Sequence, residues 1–216
     1  MSLEGKLQAQ MDRLLAVVDE SGTKGPRLRQ DAVRLWRRVK SFIALRLVNP
    51  EVDVQAAELA CYALQLPMKQ SRLTPAGRMG QVSLRERAEQ AAELLINGLG
   101  NAADEDLLER AVRILRQMHH RDPSLDEAKL LADAINLDDF GVTGVIVQAM
   151  HLARQHLCVK DVAEGLEKRQ QYGYWEARLK DGFHFEPVRQ IARQRLERAR
   201  MVAGLLLDEL REDQAL

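Results

Sequence analysis

The chain of 216 residues is poor in the groups that build cross-linked or reactive centres. It has two cysteines, Cys61 and Cys158, far apart and in no CxxC pair, which excludes a disulfide framework and a zinc knuckle. Histidine is scarce, and none precedes His119, so the first half of the chain offers no imidazole. An excess of charge of either sign is absent too: 32 basic residues face 32 acidic ones. That balance argues against a dedicated nucleic-acid coat or a polybasic membrane binder, though not against a local patch. No run approaches the roughly eighteen consecutive apolar residues of a bilayer span. The start, with Glu4 and Lys6 close behind Met1, lacks the apolar core of a secretory signal, and residues 1–3 read as a cloning leader. The expected address is the cytoplasm. There is no GxSxG, no Walker-type Lys-Ser/Thr and no cysteine beside a plausible histidine base.

What is present favours helix. Leucine, alanine, arginine, glutamate and glutamine dominate, aromatic residues are 4%, and no stretch alternates long enough for a strand. The spacing predicts helices over 3–18, then from the Gly-Pro break near 26 to 48, then 54–66, 83–98, 103–119, 125–137, 141–157, 159–180 and 186–210. Ser83 and Glu86 form a capping box, and Gly98 to Gly100 ends that helix. Ala56, Ala57, Ala60 and Ala63 suit close helix packing. The stretch 67–82 is weakly patterned, as lids often are. The expectation is an all-α, compact multi-helix bundle, with residues 1–22 as an N-terminal helix packing on or extending from a single domain over 23–216.

Three segments in order carry a resemblance. Residues 127–144 read EAKLLADAINLDDFGVTG, with His119 and His120 just before; residues 175–186 read WEARLKDGFHFE; and a last helix carries Arg189, Ile191, Ala192 and Arg195. From Glu58 onwards the chain resembles the HD superfamily of metal-dependent phosphohydrolases, which are all-α. The first segment is similar to that family's "EAKLLADADRLDxxGxxG", the second to "KLLKLKDGFHTE" and the last to "RRIAEER". The resemblance implies an HD-domain-like fold.

It also implies where a metal would be held, and there the chain departs. The family's His-Asp pair closes a helix reading "ELAALLHDIG"; here Leu64 and Gln65 stand in those places. The family's first His falls around 36–40, where there is none, and its closing Asp falls at Ile135. Leucine and isoleucine have no lone pair, and an amide oxygen is a poor substitute for a carboxylate. Losing every expected donor removes the open catalytic site that such chemistry needs. The resemblance therefore implies a degenerate, catalytically inactive domain that binds or regulates, taking a protein partner, a phosphorylated small ligand or another copy of itself, with no cofactor.

Two other readings stand beside it. In one, His119, His120, Asp133, Asp138 and His184 assemble a relocated divalent-metal site and hydrolysis persists. Asp133 and Asp138 lie about 140° apart on a helix, whereas Asn136 and Asp139 share a face. In the other, the basic helix over 27–46 docks an acidic partner or nucleic acid through Arg27, Arg34, Arg37 and Arg38. Each candidate has an ordinary structural explanation. His119 and His120 suit the negative end of a helix, and the basic stripe is a solvated face balanced by acidic neighbours. Asp138 and Asp139 are helix-end groups, and Gly141 and Gly144 permit a sharp turn or close approach. Lys180, His184 and Arg189 could meet an anionic ligand, and Arg178, Lys180 and Arg189 could equally pair with Glu176 and Glu186. Tyr172, Tyr174, Trp175, Phe183 and Phe185 read as a small aromatic core, and both cysteines as buried spectators.

Overall fold

The computed structural model describes residues 5–16, 28–48, 51–68, 83–100, 103–154 and 156–215. Among them there are helices and no strand, so the all-α expectation holds. The chain divides into two compact units, Met1–Ala132 and Asp133–Leu216.

The first unit holds α1 (Gly5–Leu15), α2 (Leu28–Ala44), α3 (Val54–Ala63), α4 (Leu84–Leu99), α5 (Glu105–Gln117) and the beginning of α6 (Asp126–Asn136). Its centre is α3, whose residues from Ala56 to Ala63 are all buried. The alanines let α2, α4 and α5 pack against it. Asp53 caps α3 by accepting from the Ala56 N–H, and its own N–H donates to Glu127 Oε1 at 2.9 Å. Buried Glu127 also takes two hydrogen bonds from the Arg110 guanidinium, at 2.8 and 3.1 Å. One carboxylate thus ties the starts of α3 and α6 to α5. Ser83 and Glu86 make the expected capping box, and Gly100 closes α4 at a φ of +45°. Helix α1 lies on α2 through Leu7, Met11 and Leu15, with the Gln10 amide donating to Gly98 O.

The second unit continues α6 into a 3-10 turn (Leu137–Asp139), then α7 (Gly141–Arg154), α8 (Val159–Gln171), α9 (Tyr174–Asp181) and α10 (Glu186–Ala215). Val145, Val162, Leu166 and Ala199 form its core, and Ala149, Leu152, Val202 and Leu206 pack around them. Phe140 sits between Trp175 and Phe183, each centroid 5.4 Å away. The aromatic cluster is therefore a small core, except that Tyr172 is exposed.

Three expectations need correction. The helix expected over 159–180 is two helices, broken where Gly173 adopts a φ of +63°. The break lets Trp175 turn inward onto Phe140 while the Arg169 guanidinium covers the Tyr174 and Trp175 rings. Helix α2 stops at Ala44 rather than 48, because Arg46 takes a positive φ of 54°. Cys61 is buried but Cys158 is exposed, at the N-terminal cap of α8. Most of the expected lid, over 69–82, lies outside the described residues. No helix among the described residues is long and apolar enough to cross a membrane.

Candidate functional site

The positions where the HD resemblance expects a metal-binding His-Asp pair lie at the end of α3. Leu64 is fully buried, and Gln65 is nearly so. The Arg87 side chain reaches over from α4: its Nε donates to Leu64 O at 3.0 Å and its Nη2 to Gln65 Oε1 at 3.1 Å. A guanidinium thus engages the one side-chain oxygen that this pair of positions offers. Over 36–40, Trp36 and Val39 are buried in the α2 seam. Ile135, in the second unit, is a half-buried aliphatic side chain.

Asp133 stands two positions before Ile135 and is 0% exposed. Both its oxygens are engaged: Oδ1 accepts from the backbone N–H of His184 at 2.9 Å, and Oδ2 from that of Phe185 at 3.1 Å. The His184 ring nitrogen Nδ1 also lies 2.9 Å from Oδ1. A carboxylate can only accept, so Nδ1 is the donor of this contact. Of the candidate set, then, Asp133 and His184 meet. Their meeting pins the loop that leads into α10, as a capping carboxylate would.

The same face of the chain continues the latch. Asn136 donates to Gly182 O at 2.5 Å and accepts from Arg178 at 2.8 Å. Arg178 also donates to Asp139 at 2.8 Å, and Tyr174 lies at 3.5 Å from the same carboxylate. Residues 133, 136 and 139 thus hold 178–185, so within the second unit the two segments that carry the resemblance are bound to each other. Gly144 makes this possible: a Cβ there would fall 2.6 Å from Asp139 O. Gly141 turns the chain at a φ of +83°. Asp139 is therefore a partner of α9, not the expected cap of α7.

The remaining candidates are dispersed. Arg189 donates to Phe183 O at 2.7 Å and pairs with Glu186, which also takes Arg193 at 3.0 Å. The expected Glu186 pairing thus exists, whereas Glu176 pairs with Arg200 rather than Arg178 or Lys180. Lys180 is exposed on α9 and Asp138 is half-buried in the 3-10 turn. His119 and His120 follow α5 in the first unit with their rings edge to face, 4.6 Å apart. Burial, then the neighbouring charges of His120 and Arg85, hold the His119 imidazole below its ordinary value, against the pull of Glu89. It is thus kept neutral near pH 7 rather than serving as a charged partner of the helix end. Burial, with the Glu58 charge, pushes the Cys61 thiol well up, which excludes a thiolate there.

On α2, Arg29 pairs with Asp12 at 2.7 Å and Arg34 lies 3.8 Å from Asp31, while Arg37 is exposed and Arg38 half-buried. Arg27 falls outside the described residues. The basic stripe is thus partly neutralised along its length. Among the described residues, no three His, Cys, Asp or Glu side chains converge as a metal site would require.

A groove of about 320 Å³ opens in the second unit between α8, α9 and α10. Leu166, Trp175, Ala203, Gly204 and Leu207 line it, together with the polar side chains of Glu167, Gln170 and Arg200. A Cβ at Gly204 would meet nothing within 4 Å, so the missing side chain leaves space there. Arg200 is bound by Gln170 at 3.0 Å, Glu176 at 2.5 Å and Glu197 at 2.9 Å. Sequence reasoning did not find this groove, nor Arg87, Arg110 and Arg178 as tethers. Each depends on residues more than fifteen positions apart, and no local spacing announces them. Comparison of the chain with protein-family models, curated proteins and solved structures gave no match.

Proposed function

We propose that this chain is an HD-like domain that has lost hydrolysis and acts by binding, with an apolar segment of a partner protein as its ligand. The observation that carries the reading is the engagement of Gln65 by Arg87 at the end of α3. A cationic side chain beside the only remaining oxygen opposes a divalent ion, and neighbouring Leu64 has no electrons to give. Asp133 does not replace the lost donors, because two backbone N–H groups and an imidazole already use its oxygens. The residues present therefore do not fit the family's metal, and no hydrolytic step is derived through one. The ligand class follows from the groove. Its lining is mostly apolar, and the Arg200 within it is held by two carboxylates, which favours aliphatic or aromatic side chains over phosphate.

The test has two arms. Purified protein is analysed for bound transition metals and for turnover of nucleotides and nitrophenyl phosphate esters; neither is expected. One equivalent of metal, lost together with phosphatase activity in His120→Ala protein of unchanged circular dichroism, would establish the relocated-site reading instead. The second arm titrates the fluorescent apolar probe 1-anilinonaphthalene-8-sulfonate. Binding is expected for the native chain and strongly reduced for Gly204→Phe, which adds a ring to the groove lining from a Cβ that meets nothing within 4 Å. Equal binding by both proteins would remove the groove as the ligand site.

A further inference from the structure

Among the described residues, His184 is the histidine whose ring a carboxylate holds, with Nδ1 2.9 Å from Asp133 Oδ1. Asp133 is wholly buried and is itself fixed by the N–H groups of His184 and Phe185. Those two backbone donors already pin the loop. The ring contact adds something else, an imidazole aimed by a buried anion. Its far edge is free: the side chain is 18% exposed, and Nε2 has no partner among the described residues yet is not enclosed. Three chemistries suit an imidazole so held. Metal binding needs further donors, and among the described residues no three His, Cys, Asp or Glu side chains converge. Acyl transfer needs N–H groups aimed at an oxyanion, and those of His184 and Phe185 are spent on Asp133. Phosphoryl transfer needs an open nitrogen, cations for the incoming group and a counter-charge for the ring. Cations stand at this loop: Arg189 donates to Phe183 O at 2.7 Å, and Arg193 follows one turn along α10. The two arginines share the carboxylate of Glu186, which leaves one positive charge over.

We infer that His184 is a phosphoryl acceptor, modified on Nε2 by a donor of the phosphoramidate or acyl-phosphate class. In the neutral ring, with the proton on Nδ1, Nε2 carries the lone pair. That pair attacks phosphorus, an Nε2–P bond forms, and the donor's P–N or P–O bond breaks. The leaving group departs with the bonding electrons, as ammonia from phosphoramidate or as a carboxylate from an acyl phosphate. Nothing is oxidised or reduced, and the proton stays on Nδ1. Both ring nitrogens are then substituted, so the ring carries a positive charge. The Asp133 carboxylate faces that charge across 2.9 Å, as a buried carboxylate stabilises the imidazolium of a Ser-His-Asp triad. Phosphate monoesters have poor leaving groups and are not donors, so the lack of ester turnover expected above is compatible with this step. The site shares no residue with the groove, and either can fail without the other.

The full chain is incubated with potassium phosphoramidate at neutral pH, and the label is mapped by tandem mass spectrometry of digests kept neutral, because phosphohistidine is lost in acid. His184 is expected to be phosphorylated at least about tenfold faster than His120, which is more exposed but has no carboxylate on its ring among the described residues. Phosphorus-31 NMR should show the Nε2 isomer, since Asp133 occupies Nδ1. Asp133→Asn keeps an acceptor for the loop but removes the counter-charge. Labelling of His184 should then fall about tenfold, with labelling of His120 as in the native chain. An unmodified His184 would overturn the inference, as would His120 reacting at the rate of His184, or an Nδ1 isomer at His184. So would an unchanged His184 rate in Asp133→Asn protein of native circular dichroism. Should that variant not fold, the two histidines and the isomer in the native chain decide.

Discussion

Asp133 shows what one buried carboxylate does when it is fully used. Removing it strands the His184 and Phe185 N–H groups in the interior. Each unpaired donor costs about 1–3 kcal/mol, so Asp133→Ala should lose about 2–4 kcal/mol in urea unfolding. His119 gives a pH signature of opposite chemistry. Its imidazole is held below the ordinary value of about 6.5, chiefly by burial, so between that lowered value and 6.5 the unfolded chain binds more protons than the folded one. Stability therefore falls as pH drops through 6.5, and His119→Gln should flatten that part of the urea-midpoint profile. At this scale the sequence conveyed identities but not partners. That Asn136 and Asp139 share a face was legible from their spacing. That both receive Arg178 was not, because the arginine lies some forty residues further along.

At the scale of elements, local chemistry marked the ends well wherever a cap or a glycine is decisive. Ser83 with Glu86, and Gly100, bound α4 as expected. The split between α8 and α9 escaped because a lone glycine in an amphipathic run is compatible with an unbroken helix. The break is set by tertiary contacts, with Trp175 packing on Phe140 after the chain has turned at Gly173. Gly144 is one position where an element depends on a missing side chain. Gly144→Ala would drive a Cβ into the Asp139 carbonyl. The clash should cost about 1–3 kcal/mol and lower the thermal midpoint measurably. The same substitution at Gly5, where a Cβ meets nothing, is the matched control.

For the whole molecule, composition pointed to the absence of strands found among the described residues, because helix formers dominate and β-branched alternation is missing. The division into two units was hidden, since it falls between Ala132 and Asp133 inside α6, where no glycine, proline or polar linker marks it. Overall charge has its own consequence: with a pI near 7.0, electrostatic repulsion between copies vanishes at neutral pH. Turbidity of a concentrated solution should peak near pH 7 and clear towards pH 9. The tether between Arg87 and Gln65 has a consequence for the loss of hydrolysis proposed above. Under the reading proposed above, reinstating the family pair through Leu64→His and Gln65→Asp would hand Arg87 a carboxylate to neutralise. The new anion would be captured by that guanidinium before any metal reached it. Under that reading, a carboxylate donor at position 65 would have to be introduced together with removal of the Arg87 guanidinium.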